Sequence, residues 1–341
     1  GAQARPGAAL ALAAVGPDVA SLLARRTVLL ALFVLTDVGQ ALAMDLAENR
    51  PWKKGRGGAR QYVRQTVPVV SSSLSILTSL AVAAVAGGPR ELLQCFDLGL
   101  FLAFLPVSLF LATGLSLKMM AVNHFQAGTI KIVGQLRLPM VALFSTLLLA
   151  RRYSLVQWQV IGMITTSCVC FVWVKGQRRH NEGKAVKWSG FLQLFSWVLL
   201  NVWGGIAAER AYKSGSRPFY VQKVAEDFGH LLVAVVMLLL VVPRFKRDED
   251  VRDRERRPGG FFDAWDARTV VIVFFLFVDT WISNAVLKEF SSLTRSVAKS
   301  FAIAVVYITS FSYAKDRRKD FGLTLTAALV IQSSVLFGFV Q

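Results

Sequence analysis

The chain has 341 residues, of which 54% are hydrophobic and only 18% are charged, and its mean hydropathy is +0.50. A soluble domain of this length does not need so much apolar surface, so the composition excludes an ordinary soluble protein and indicates several membrane spans. The 39 Lys and Arg against 21 Asp and Glu give a net charge of +18, but most basic residues fall in short stretches between apolar runs. There they set topology and contact membrane lipids, which argues against nucleic acid as a partner.

Ten apolar windows are about 20 residues long, the length that crosses a bilayer core as a helix. They cover residues 27–48, 67–86, 97–121, 125–149, 154–175, 188–208, 219–243, 269–289, 292–313 and 320–340. The runs lack the alternation of barrel strands, so we predict an all-α integral membrane protein with ten transmembrane helices.

The ten predicted spans divide after the fifth into two five-helix halves, residues 27–175 and 188–341, joined by a loop at 176–187. Because each half has an odd number of spans, the halves are expected to be inverted repeats. The second half contains a charged stretch, 244–268, that is expected to be a flexible loop. Residues 1–26 are expected to be an N-terminal tail, truncated upstream because the chain does not open with Met.

Two arginines occupy corresponding spans of the two halves: Arg137 in the fourth and Arg295 in the ninth. A cation in hydrocarbon is costly unless it faces a cavity or a partner, so we predict that both line a site for an anion. Their planar forks match phosphate oxygens, and together they could clamp a diphosphate. Helical spacing would add Lys288 and Lys299 to a basic ladder with Arg295; the alternative is that both lysines extend to the membrane surface.

The seventh span begins with four titratable residues: Lys223, Glu226, Asp227 and His230. Such a charged first turn usually lies at the membrane surface, and that is the preferred interpretation. The alternative is a proton relay, or an ion pair between Lys223 and Asp227 at i, i+4 spacing.

No pattern typical of an enzyme or a metal site occurs. There is no HExxH, no paired CxxC, no GxSxG and no P-loop, and the three histidines are scattered. The three cysteines, Cys95, Cys168 and Cys170, are assigned to packing. We therefore expect neither a cofactor nor a metal, and no enzymatic activity.

Two stretches resemble the nucleotide-sugar transporters of the drug/metabolite transporter superfamily. The first is QAGTIKIVGQLRLPMVALFSTLLLARRYSLVQW, in which Arg137 takes the place of a family lysine that contacts nucleotide phosphates. The second is NAVLKEFSSLTRSVAKSFAIAV, which places Lys288 and Arg295 on two further family lysines. In the first stretch the matching residues are Ala127, Thr129, Gln135, Leu136, Ala142, Leu143, Phe144, Ser145, Gln157 and Trp158.

The resemblance implies ten helices in two inverted halves and exchange of a nucleotide sugar for a nucleoside monophosphate. It implies that Arg137, Arg295 and Lys288 bind phosphates, and that Gln135 orients the substrate; the basic ladder adds Lys299. Ile130, Gly134 and Ala207 stand where the family has tyrosines, so the resemblance does not name the base or the sugar.

The hypothesis is therefore a multi-pass antiporter of the Golgi or ER membrane that works by alternating access. One alternative is a plastid-envelope sugar-phosphate translocator, and another is a membrane scaffold that transports nothing. The resemblance implies that both termini face the cytosol, whereas the excess of Lys and Arg after odd-numbered spans predicts the opposite orientation; the resemblance is preferred. A homodimer is left open.

Overall fold

The computed structural model describes residues 17–48, 64–121, 132–150, 152–181, 188–241 and 265–313, with a few isolated positions between and after them. Within these ranges the chain is helical, with no strand. Most of the predicted tenth span and of the 244–268 loop lie outside the described residues.

Nine helices can be named in chain order within the described residues. Helix α1 covers Pro17–Glu48, and α2 covers Thr66–Gln94 with a π-helical turn at Ala83–Gly87. The others are α3 (Leu98–Ala121), α4 (Arg137–Leu149), α5 (Leu155–Asn181), α6 (Trp188–Ser214), α7 (Phe219–Val236), α8 (Ala267–Glu289) and α9 (Ser292–Tyr313). Their order follows the first nine predicted spans, although α1 begins ten residues before the predicted bound and α5 extends into the predicted 176–187 loop.

Five of the described helices have the length and hydropathy to cross a membrane: α1, through Ala24–Met44, and α2, α3, α6 and α8. They carry large apolar side chains on their outer faces, such as Leu77, Leu102, Leu192 and Phe274, which are more than half exposed. Such faces are stable against lipid and would aggregate in water. The protein is a multi-pass membrane protein.

Helix packing brings the two predicted halves together. The most extensive contact joins α3 to α6, and α8 packs against α1. Helix α7 packs against α2 and α3, while α8 packs against α2. Helix α9 lies against α1 and α4, and α4 also contacts α6. The helices of the first half therefore pack against those of the second half along the whole interface.

Apolar clusters hold this interface. One joins α4, α5, α6 and α9 through buried residues that include Leu138, Ile164, Val202 and Leu293. A second joins α1, α8 and α9 through Phe33, Val286 and Ala298. The same helices also carry buried polar side chains, among them Asp37, Asp279 and Arg295.

Candidate functional site

Three predicted basic residues come together between α4 and α9. Arg295 is 5% exposed, and its Nη1 donates to Ser283 Oγ at 3.2 Å. Arg137, Arg295 and Lys299 lie close enough for mutual electrostatic repulsion. The Nε atoms of Arg137 and Arg295 are buried and have no hydrogen-bond partner within the described part of the chain. We call these three residues the basic cluster; its unused donors suit an anion.

Two carboxylates from other helices face the basic cluster. Asp37 of α1 lies 3.7 Å from Lys299, measured from Oδ1 to Nζ. Asp279 of α8 attracts Arg137, Arg295 and Lys299 electrostatically. Both carboxylates are buried, at 2% and 7% exposure. They offset part of the positive charge that would otherwise be unpaired between the helices.

The sequence interpretation placed neither Asp37 nor Asp279 in the site. A signal was present, because each is an isolated acidic residue inside an apolar run, and ionisable residues within membrane spans mark function or pairing. Asp37 lies in α1 of the first half and Asp279 in α8 of the second. Their shared position near the basic cluster results from helix packing, which the linear sequence does not show.

Arg137 occupies a special point of the backbone. A 3₁₀ turn at Gly134–Leu136 immediately precedes α4, which begins at Arg137 itself. Gln135 lies in this turn and is 4% exposed. A Cβ on Gly134 would lie 3.0 Å from Trp197 Cη2 of α6, so the indole ring covers the glycine. A short 3₁₀ stretch inside a helical span often marks a functional hinge, and here it carries Gln135 and leads directly into Arg137.

Lys288 does not join the basic cluster. Its Nζ donates to the carbonyl oxygen of Arg217 at 3.0 Å and to Gln222 Oε1 at 2.9 Å. The single-helix ladder of Lys288, Arg295 and Lys299 is wrong, because α8 ends at Glu289 and α9 begins at Ser292. Phe290 and Ser291 break the helix, and the Ser291 hydroxyl accepts from Thr294 N as an N-cap would. Arg295 and Lys299 still share one face of α9.

The preferred surface position of the charged turn in α7 is also wrong. Lys223, Glu226 and Asp227 are 0%, 0% and 1% exposed. Lys223 Nζ lies 2.5 Å from Asp227 Oδ1 and 3.6 Å from Glu226 Oε2, so the alternative i, i+4 pair forms. Burial is tolerated because neighbouring helices supply the remaining partners.

Those partners come from three other helices. Tyr212 of α6 donates its hydroxyl to Glu226, and Asn284 Nδ2 of α8 lies 2.5 Å from Glu226 Oε2. Ser75 of α2 donates to Asp227 and accepts from Trp281 Nε1 at 2.8 Å. We call the charged residues of α7 with these partners the α7 network; it ties α2 to α6, α7 and α8.

Polar contacts also join the two halves at one end of the bundle. Arg217, in the connection between α6 and α7, forms an ion pair with Asp97, between α2 and α3. Hydrogen bonding from Arg217 lowers the pKa of the Asp97 carboxyl below its usual value. The Tyr220 hydroxyl donates to Glu91 of α2. These two contacts are called the latch.

A cavity of about 650 Å³ opens beside the latch. It lies between α3 and α6, and its polar lining includes Asp97, Arg210, Arg217 and Gln222. Ala207, one of the positions where tyrosine is expected from the resemblance, lines its apolar side. The smaller side chain leaves room there.

The arrangement can bind an anion with two or more negative oxygens. It offers two guanidinium groups and an ammonium, and within the described residues no group of three His, Cys, Asp or Glu is placed to hold a metal ion. Among the predicted site residues, Arg137, Arg295 and Lys299 come together, Gln135 is two residues from Arg137 in the chain, and Lys288 lies apart.

Comparison with known proteins agrees with an anion-carrying membrane protein. The sequence model of the nucleotide-sugar transporter family matches residues 103–338. A UDP-N-acetylglucosamine transporter from Bos taurus is 19% identical over 227 residues, 66% of this chain and 67% of that protein. The corresponding Homo sapiens transporter is 18% identical over 226 residues, 66% of each chain. A crystal structure with 12% sequence identity superposes with a TM-score of 0.59 and covers 93% of this chain and 98% of its own.

Proposed function

Since the chain belongs to the nucleotide-sugar transporter family, we propose that it exchanges a nucleotide sugar for a nucleoside monophosphate across a Golgi or ER membrane. The basic cluster is the observation that carries this proposal. Both cargoes present phosphate oxygens, and guanidinium forks bind such oxygens strongly in a site shielded from water. Transport by this route needs no covalent step, cofactor or metal.

Arg137 and Arg295 bind the phosphates through donors that include their unpartnered Nε atoms. Lys299 adds charge from the next turn of α9 and exchanges its contact with Asp37 for one with the cargo. Gln135, in the turn before Arg137, orients polar groups of the cargo. Lys288 acts on the cargo indirectly: it donates to the Arg217 carbonyl and so holds the connection between α6 and α7.

The helix contacts support two inverted repeats. Replacing each helix by the one five positions later turns the α3–α6 contact into α8–α1, and the α3–α7 contact into α8–α2. It also turns α1–α9 into α6–α4, while α2–α7 and α4–α9 map onto themselves. All of these contacts occur, and a pairing pattern of this kind is expected when a central site lies between two related halves.

The latch supports alternating access. It joins Asp97 and Glu91 of the first half to Arg217 and Tyr220 of the second, all at the end where α6 and α7 meet. In the proposed cycle this end opens by breaking both contacts, and the cargo leaves as the halves rock around the basic cluster.

The test is exchange of nucleotide sugars by purified protein in proteoliposomes loaded with nucleoside monophosphates. The relatives transport UDP-N-acetylglucosamine by name, so this is the first external substrate, followed by other nucleotide sugars. Arg137→Ala and Arg295→Ala should each abolish exchange. Arg90→Ala is the matched control, because Arg90 is exposed at the end of α2.

Two results would overturn the proposal. Exchange that survives both cluster substitutions would show that the basic cluster takes no part in transport. The proposed function would be refuted if wild-type protein, shown to be folded by its thermal unfolding transition, neither bound nor exchanged any nucleotide. A gain in thermal stability with one nucleoside monophosphate over the others would identify the base.

A further inference from the structure

Two unpartnered polar atoms face each other inside the α7 network. Glu226 Oε2 receives donors from Tyr212 and Asn284, but Glu226 Oε1 has no hydrogen-bond partner in the described part of the protein. His230, one turn further along α7, points its Nε2 at this oxygen from 3.8 Å, and that nitrogen is also buried without a partner. Glu226 is fully buried, so water does not replace the missing contact as bulk solvent would.

A hydrogen on Nε2 satisfies both atoms at once, in the neutral Nε2–H tautomer as in the imidazolium, and only the imidazolium adds a positive charge beside Glu226. When His230 is neutral and Nε2 carries no hydrogen, a carboxylate oxygen and a ring nitrogen face each other as two acceptors. When Nε2 takes a proton from solution, it becomes a donor to Glu226 Oε1, and the imidazolium and carboxylate form a pair. No other bond changes, and Glu226 keeps its contacts with Tyr212 and Asn284.

The surrounding helices supply partners for the other polar groups of the α7 network, but not for Glu226 Oε1 and His230 Nε2 within the described residues. Within α7, Lys223 Nζ bonds to Asp227 and lies 3.6 Å from Glu226 Oε2, and Ser75 of α2 donates to Asp227. From α3, the Ser108 hydroxyl donates to the backbone carbonyl of Glu226 at 2.7 Å and not to the Glu226 carboxylate. From α6 and α8 come Tyr212 and Asn284, and from α9 Arg295 attracts Glu226 electrostatically.

Charge connects this pair to the basic cluster. Among the described residues around these two sites, four basic groups stand against four acidic ones when His230 is neutral: Lys223, Arg137, Arg295 and Lys299 against Glu226, Asp227, Asp37 and Asp279. Glu209 is paired separately with Lys213 at 3.0 Å. A phosphate-bearing cargo brings at least two negative charges into this balanced set, and an uncompensated charge in a low-dielectric interior is costly.

We propose that Glu226 and His230 form a proton-binding site that fills when an anionic cargo binds the basic cluster, so that the protein takes up a proton with its nucleotide sugar. Arg295 transmits the effect: it attracts Glu226, and an anion at Arg295 competes for that attraction. The added proton on His230 then restores the partner that Glu226 loses. The inference rests on the proposed function for the identity of the anion, but the proton site is testable with any anion that binds.

Isothermal titration of the full-length protein in detergent provides the test. UDP-N-acetylglucosamine is the probe, because its diphosphate diester has no group that titrates near neutral pH. Repeating the titration in buffers of different ionisation enthalpy counts the protons taken up. We expect about one proton per cargo, and an affinity that rises by up to about tenfold for each unit that the pH falls within the linked range.

His230→Asn is expected to bind the probe with no proton uptake and no dependence of affinity on pH. His230→Gln serves as a second variant should the first fold poorly. His180→Asn is the matched control and should retain the wild-type uptake, because His180 follows the fifth predicted span. Wild-type binding without proton uptake, or uptake that persists in both His230 variants, would overturn the proton site.

Sulfate separates failure of this inference from failure of the proposed function, since it also does not titrate near neutral pH. Binding of sulfate but of no nucleotide sugar would refute the proposed function, and the same buffer series with sulfate would then decide the proton site. Failure of both anions to bind would overturn the basic cluster as an anion site and the proton linkage with it.

Discussion

Arg295 of α9 lies so close to Gly205 of α6 that a Cβ added to Gly205 would be 2.8 Å from Arg295 Nη2. Real Cβ atoms do not approach other heavy atoms this closely, so the guanidinium occupies space that only a glycine leaves. The approach places Arg295 between α6 and Ser283 of α8, with Nε unpartnered within the described residues. The glycine thus leaves the space in which the Arg295 guanidinium lies.

Gly205→Ala should weaken nucleotide-sugar binding without unfolding the protein. The methyl group forces the guanidinium off its position, and loss of one charge-assisted hydrogen bond costs about 1.5 to 3 kcal/mol, or roughly 10- to 150-fold in affinity. Titration calorimetry measures the change. Gly162→Ala is the matched control, because a Cβ there meets no atom within 4 Å. Equal affinities for the two variants would show that Arg295 is not held by this contact.

Asp37→Asn should strengthen cargo binding. Asp37 is expected to compete with the cargo for Lys299, whose Nζ lies 3.7 Å from Asp37 Oδ1. Removing its charge lowers the cost of separating the pair by about 1 kcal/mol, or roughly fivefold in affinity. Glu289→Gln is the control, because Glu289 is exposed at the end of α8. Weaker binding by Asp37→Asn would mean that Asp37 positions Lys299 and does not compete with the cargo.

Much of the fold could be predicted because its signals are local. Uninterrupted apolar windows gave the order of α1 to α9, since hydrophobic length is set by the bilayer itself. Termini of helices were less predictable: α1 begins at Pro17, inside the stretch expected to be a tail. The break at Phe290 and Ser291 was visible as a gap between predicted spans, yet helical spacing was still applied across it to join Lys288 with Arg295.

The site was less predictable because its members meet across helices. Arg137 and Arg295 stood out as isolated cations in apolar runs, and the structure brings them together. The charged turn of α7 has the composition of a surface segment, and only packing against α2, α6 and α8 makes its burial stable. The surroundings of the residues at the expected tyrosine positions also could not be predicted, because other helices form them. Gly134, for example, is covered by the Trp197 ring of α6.

Lys223→Met should destabilise the protein by roughly 3 to 5 kcal/mol, because it leaves two buried carboxylates without their shared cation. Thermal unfolding in detergent measures the loss. The double variant Lys223→Met with Asp227→Asn should recover much of it, since Asn keeps a polar contact with Ser75 and carries no charge. Arg90→Met is the matched control, because Arg90 is exposed at the end of α2. A double variant no more stable than the single one would show that Lys223 does not act through charge.

Asp97→Asn should open the latch without changing its dependence on pH near neutrality. Because hydrogen bonding from Arg217 lowers the Asp97 pKa, the pair is complete above the usual carboxyl range and is lost only as the pH falls through the lowered value. Opening is measured with Ala225→Cys in a variant without native cysteines. Ala225 of α7 is only 2% exposed, so the rate of maleimide labelling at this position should increase when the latch opens. Labelling should increase in Asp97→Asn and stay constant from about pH 6 to 8 when corrected for the thiol's own ionisation. The latch then contributes nothing to any dependence of cargo binding on pH in that range, and labelling that changed between pH 6 and 8 would contradict this expectation.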